Sequence, residues 1–149
     1  MQSLDVANQY LKKQISQFNP VYFAMVMATG IVSISCYFLG LKEFSFLLFW
    51  INGVAFIIIW GLTLARFIFF PSLFLKDLKD HKRGPGFFTV VAATNVLGVQ
   101  LVLLTSYLKI GLLLWWFGLG LWALCTYSIF VALSVKQQKP SLAEGIHGG

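Results

Sequence analysis

Residues 20–34 read PVYFAMVMATGIVSI, and residues 85–99 read PGFFTVVAATNVLGV. Laid over each other at a constant offset of 65, they share Pro20 with Pro85, Phe23 with Phe88, Val26 with Val91, Ala28 with Ala93 and Thr29 with Thr94, five identities in fifteen positions. Most other pairs are swaps of similar size or polarity, such as Tyr22 with Phe87, Ile31 with Val96, Val32 with Leu97 and Ile34 with Val99. Apolar segments match by chance easily, but the shared proline and threonine argue for a duplicated unit.

The composition says where such a unit would live. The 149 residues are 58% hydrophobic and only 11% charged, and the mean hydropathy is +0.81, outside the range of a soluble domain of this length. The chain therefore reads as an all-α integral membrane protein. Four spans are predicted at about 21–41, 44–65, 87–108 and 110–135, each with the roughly twenty residues that ~30 Å of hydrocarbon requires at ~1.5 Å per residue. None carries a charge in its interior, which matters because one such charge costs about 2.5–3.5 kcal/mol on insertion scales. Arg66, at the end of the second span, is expected to snorkel to the interface. No cleavable signal pattern opens the chain, so the first span is expected to stay in the mature protein.

Ahead of the first span, residues 1–19 place Leu4, Ala7, Leu11, Ile15 and Phe18 at spacings of three and four. This is the pattern of an amphipathic helix lying on the membrane; a frayed polar tail is the competing reading. Pro20 suits the first turn of a helix, where a missing N–H is harmless. Lys42 with Glu43, and Lys109, mark tight turns after the first and third spans, whereas 67–86 reads as a long loop carrying Lys76, Lys79, Lys82 and Arg83. One side of the membrane would receive Lys12, Lys13, Arg66, Lys76, Lys79, Lys82, Arg83, Lys136 and Lys139, and the other Lys42 and Lys109. Nine against two places both termini and the long loop in the cytoplasm, with the protein in the cytoplasmic membrane. Trp50, Phe67, Phe69, Phe70, Phe87, Trp115 and Trp116 fit interfacial aromatic belts.

Two hairpins of the same orientation form a parallel repeat. The units are 1–19 (amphipathic cytoplasmic N-terminus), 20–84 (first hairpin and loop) and 85–149 (second hairpin and the start of a third unit). Since 85 + 65 = 150, the chain reaches the point where a third copy would begin, and it reads as the first two units of a longer array.

The net charge of +6 reflects this topology; nucleic acid is not an expected partner. Cys36 and Cys125 lie in apolar runs without CxxC spacing and read as small buried residues. His81 stands near Asp77 and Asp80 in DLKDHKR; a metal site can be drawn there, but such an acid and base mixture reads more simply as a solvated face. GPG at 84–86 is a turn leading into a helix, without a phosphate-loop lysine. With no buried carboxylate pair and no Ser/His/Asp set, neither catalysis nor a bound cofactor or metal is expected.

The polar residues that remain lie on the first and third spans. Thr29, Ser33, Cys36 and Gly40 form one helical stripe, and the matching stripe at +65 is Thr94, Gly98, Leu101 and Thr105, with Asn95 and Gln100 beside it. Thr29, Ser33, Thr94, Asn95 and Gly98 could line a water-filled path with the bulkier second and fourth helices facing lipid. Small and hydroxyl residues also serve close helix packing with no solute involved, and both readings stay open on sequence alone.

The run NPVYFAMVMATGIVSI, with Pro20, Phe23, Met27, Thr29 and Gly30 at its key positions, closely resembles the opening helix of the tellurite-resistance and dicarboxylate transporter family, which includes the plant slow anion channels. EGIHGG in the tail is similar to the lead-in to that family's fifth helix. The resemblance covers essentially this whole chain and less than half of a family member. It implies ten helices in five hairpins, odd helices around a central pore, a trimeric homo-oligomer, and small anions as the solute: inorganic anions, dicarboxylates, or tellurite or sulfite-type oxyanions. It also implies a gating aromatic on a ninth helix, which these residues do not include. Two other readings are a small proton-coupled exporter and a non-transporting membrane subunit. The exporter normally needs a carboxylate inside a span, and Asp5, Glu43, Asp77, Asp80 and Glu144 all fall outside.

Overall fold

The computed structural model describes residues 12, 14–78, 80 and 83–135. Most of the predicted amphipathic N-terminus, the EGIHGG tail and His81 therefore lie outside the described residues; 14–17 are helical. The elements are α1 (Phe23–Phe38), α2 (Lys42–Phe69), α3 (Pro71–Leu78), α4 (Phe88–Thr105) and α5 (Leu108–Val135). Four of these, α1, α2, α4 and α5, are long and apolar enough to cross a membrane, α1 and α4 counted with the short turns that lead into them. Among the described residues there is no strand, and the chain is an all-α membrane protein.

The duplication is visible in the backbone itself. Pro20–Tyr22 forms a 3-10 turn that becomes α-helical at Phe23, and Gly84–Phe87 forms another that becomes α-helical at Phe88, the same offset of 65. Each turn carries its proline early, where no helical hydrogen bond is lost. Asn19 caps the first by accepting from the Val21 N–H at 3.1 Å. The second helices of the two hairpins, α2 and α5, each run 28 residues and start 66 apart, at Lys42 and Leu108. The turns between them use one left-handed residue apiece, Gly40 at φ +81° and Ser106 at φ 59°. Serine bears a Cβ penalty there that glycine escapes.

Contacts along the helices establish direction. Ser33 meets Ser45 and Phe23 meets Trp60, so α1 and α2 run antiparallel; a Cβ on Gly111 would touch Val102 and one on Gly118 would touch Asn95, so α4 and α5 do too. Across the hairpins, Thr89 Oγ1 donates to the Gly86 carbonyl at 2.6 Å and lies 3.0 Å from that of Pro20. A Cβ on Gly30 would meet Val96 and Gln100 further along. The start of α1 therefore meets the start of α4 and its middle meets the middle: the two proline-led helices are parallel.

The core sits between them. Phe23 and Val26 of α1, Ile59 of α2, and Val90 and Ala93 of α4 form one cluster, while Phe49 of α2 packs with Leu97 and Leu104 of α4 in a second. Trp60 and Phe117, 5.6 Å apart between ring centroids, join α2 to α5. Burial is uneven: 44% of the α4 span is buried against 11% of the α5 span, so α4 is the inner helix and α5 the outer. α1 is less covered than α4, because its stripe of Met25, Ala28, Val32 and Ser35 is exposed. The residues 65 positions on, Val90, Ala93, Leu97 and Gln100, are all buried against the first hairpin.

Two further expectations are corrected. The predicted loop 67–86 contains α3, an amphipathic helix pinned by Phe74, whose ring stands 5.3 Å from Phe67 and 5.1 Å from Phe87; Phe87 is thus a core residue and not part of an interfacial belt. Arg66 does not snorkel and Asp77 is not on a solvated face, since both are buried and paired with each other. Pairing is what makes burial of each charge tolerable.

The parallel arrangement has a direct chemical test. In a chain whose Cys36 and Cys125 are replaced by alanine, the pair Val21→Cys with Gly86→Cys should cross-link on mild oxidation, because a Cβ at residue 86 comes within 2.6 Å of the Val21 side chain. Phe38→Cys with Gly86→Cys should not, since 38 lies about 26 Å further along α1.

Candidate solute-lining residues and the buried amide network

Gly30 is the point on which the two hairpins close. A Cβ there would stand 2.4 Å from Val96 Cγ1, 3.0 Å from Asn52 Nδ2 and 3.1 Å from Gln100 Oε1. Its missing side chain makes the space in which the amides of Asn52 (α2) and Gln100 (α4) lie, both fully buried. Asn52 Nδ2 donates to Gln100 Oε1 at 2.6 Å. Asn52 Oδ1 and Gln100 Nε2 have no partner among the described residues.

The second hairpin holds an amide at the equivalent level with the roles exchanged. Gly30 + 65 is Asn95 and Asn52 + 66 is Gly118, and a Cβ on Gly118 would lie 2.7 Å from Asn95 Oδ1. The first hairpin thus sets glycine on its proline-led helix against asparagine on the returning helix; the second sets asparagine against glycine. Asn95 Nδ2 donates to the Val91 carbonyl at 3.1 Å, and its Oδ1 is buried without a partner among the described residues.

The five residues expected to line a path are distributed as follows. Ser33 is fully buried between α1 and α2, where Ser33 Oγ donates to the Ser45 carbonyl and Ser45 Oγ donates back to that of Ser33, each at 2.8 Å. Thr94 is fully buried and donates to the Val90 carbonyl at 2.7 Å. Gly98 lies in the α4–α5 seam, where a Cβ would be 3.4 Å from the Gly111 carbonyl and from Leu114 Cβ. Asn95 and Gly98 share an open cleft of about 280 Å³ with Val99, Val102 and Trp115. Thr29 is half-buried, and its hydroxyl bonds to no described residue. The family-motif residues Pro20, Phe23 and Gly30 are buried, with Met27 packed against the first core cluster.

An anion needs donors, and this distinguishes the five. The single hydroxyl protons of Ser33 and Thr94 are committed to backbone carbonyls, whereas Thr29 keeps its O–H and Asn95 its second N–H. Asn52 is not singled out by the sequence reading, because the repeated polar stripes lie on the proline-led helices. Its position 22 residues after Gly30, echoed by Gly118 23 residues after Asn95, is the signal that could have found it.

The amide pair should show energetic coupling. Asn52→Leu and Gln100→Met are each expected to destabilise by about 1–2 kcal/mol by stranding the other amide, and the double variant by clearly less than the sum. Reversible unfolding in mixed micelles, run as a double-mutant cycle, reads this, and strict additivity would show the bond to be without net effect.

Comparison with known proteins extends these observations. The family model described as voltage-dependent anion channel matches residues 17–148. An uncharacterised transporter of Methanocaldococcus jannaschii is 31% identical over 113 residues, covering 72% of this chain and 33% of that protein. The chain thus spans about a third of the length of the curated relative it matches. No solved structure gives a significant match. A match over nearly all the described residues, coinciding with the four apolar helices and the proline-led repeat, is decisive: the chain belongs to the voltage-dependent anion channel family.

Proposed function

We propose that this chain supplies two hairpins of an anion path through the cytoplasmic membrane, with both termini in the cytoplasm, and that further hairpins of the same kind complete the ring. The observation that carries the reading is that the proline-led helices hold no fixed charge yet present uncommitted neutral donors, Thr29 Oγ–H and an Asn95 N–H. Such dipoles can replace part of an anion's hydration shell without trapping it, as a conducting site requires. Thr29, Asn95 and Gly98 line the path in this reading; Ser33 and Thr94 hold the helices that carry them. The solute belongs to the small inorganic anions, dicarboxylates or tellurite and sulfite-type oxyanions.

The array reading draws support from the two equivalent stripes. Val90, Ala93, Leu97 and Gln100 of α4 are covered by the preceding hairpin, whereas Met25, Ala28, Val32 and Ser35 of α1 have no such cover. One interface repeated around a ring would cover both. The assembled protein is proposed to be a homo-oligomer, a trimer by resemblance to the family.

Flux of chloride and nitrate from proteoliposomes tests the lining. Thr29→Val and Asn95→Leu should each lower the rate or shift the preference by about fivefold, the worth of one neutral hydrogen bond, while Thr94→Val leaves both unchanged. Equal flux in all three variants would remove Thr29 and Asn95 from the path, and flux of cations alone would end the anion reading.

A further inference from the structure

At the end of the bundle where the proline turns lie, α2 delivers Arg66 into its last turn and α3 brings Asp77 back against it. Asp77 accepts from Arg66 Nη2 and also from Arg83 Nη1, at 3.2 Å to Oδ1 and 3.3 Å to Oδ2. One carboxylate therefore serves two guanidinium groups. Arg66 is only 2% exposed, and its Nε and Nη1 have no acceptor among the described residues. A guanidinium held out of water with two of its three nitrogens unpaired is costly unless an acceptor can reach it.

The space beside it is an open cavity of about 910 Å³. Arg66, Lys76 and Arg83 line it with Asp77 and Asp80, three cations against two carboxylates, and Ser16 and Ser72 add hydroxyl groups. A cavity with surplus positive charge, a buried guanidinium among its lining residues and a more exposed arginine at its edge has the chemistry of an oxyanion site. Asp77 then has a second role: it orients both guanidinium groups while neutralising only one.

We infer that this cavity binds a phosphate-type oxyanion, either free inorganic phosphate or the phosphodiester of an anionic lipid headgroup at the membrane surface. The site is separate from the proposed path, and the inference does not rest on conduction. Arg83 and Lys76 contact the oxyanion, and the buried Arg66 guanidinium adds positive charge behind them.

Equilibrium titration of the full chain with inorganic phosphate, in a detergent with neutral headgroups, should show saturable binding. Arg83→Gln should weaken it about tenfold, the loss expected for a charge-assisted hydrogen bond, and adding Lys76→Gln should abolish it. Both side chains are largely outside the core, so these variants test the site without depending on Arg66, whose removal would strand Asp77. Lys42→Gln and Lys109→Gln, at the opposite end of the bundle, should change nothing. In the second arm, phosphatidylglycerol added to phosphatidylcholine vesicles should raise the unfolding temperature of the wild type but not of the double variant if the source is a headgroup. Binding of phosphate without that lipid effect identifies a soluble oxyanion. Absence of both effects, or equal loss from Lys42→Gln and Lys109→Gln, would overturn the inference.

Discussion

The contact of Gly30 with the Asn52–Gln100 amide pair is the constraint to which the rest of the structure conforms. Within hydrocarbon there is no water to satisfy an amide, and Asn52 and Gln100 find each other across a helix seam. Seating two amides in one seam requires a helix surface without a side chain, and Gly30 provides it between α1, α2 and α4. Because the residues involved come from both hairpins, this one seam fixes their relative height. The core clusters around Phe23 and Ala93 on one side and Phe49 and Leu97 on the other then fill the space at that height.

The exchange of Gly30 and Asn52 for Asn95 and Gly118 shows how a duplicated unit can keep its geometry while its residues change places. What persists is one small and one amide residue facing each other at a given level; which helix carries which is free. The turns behave the same way, with Gly40 in the first hairpin and Ser106 in the second adopting the same left-handed conformation. Polar groups in the bundle are thus sorted by whether their protons are committed. The reciprocal Ser33 and Ser45 pair closes a seam, whereas Thr29 and Asn95 keep donors to offer.

Much of this was legible in the sequence. The spans follow from hydropathy, and the repeat follows from Pro20 and Pro85, Phe23 and Phe88, Thr29 and Thr94, whose offset of 65 is also that of the switch from 3-10 to α geometry. The segment 67–86 reads as a loop because charge in short stretches looks like solvation. Its apolar Phe74 and Leu78, four apart beside Asp77, were the trace of α3, and Arg66 at the end of a span needed a counter-charge, which Asp77 in the folded-back helix supplies. The division of Thr29, Ser33, Thr94 and Asn95 into donors kept and donors committed was not legible, because it depends on which carbonyl each hydroxyl or amide meets.

The central claim is that the two hairpins cross the membrane in the same direction with their proline-led helices side by side. Labelling by a membrane-impermeant maleimide in sealed vesicles tests it most directly, using single cysteines in an otherwise cysteine-free chain. Gly40→Cys and Ser106→Cys, in the two tight turns, should react from the same side, and Ser72→Cys on α3 from the other. Reaction of the two turns from opposite sides would contradict the account.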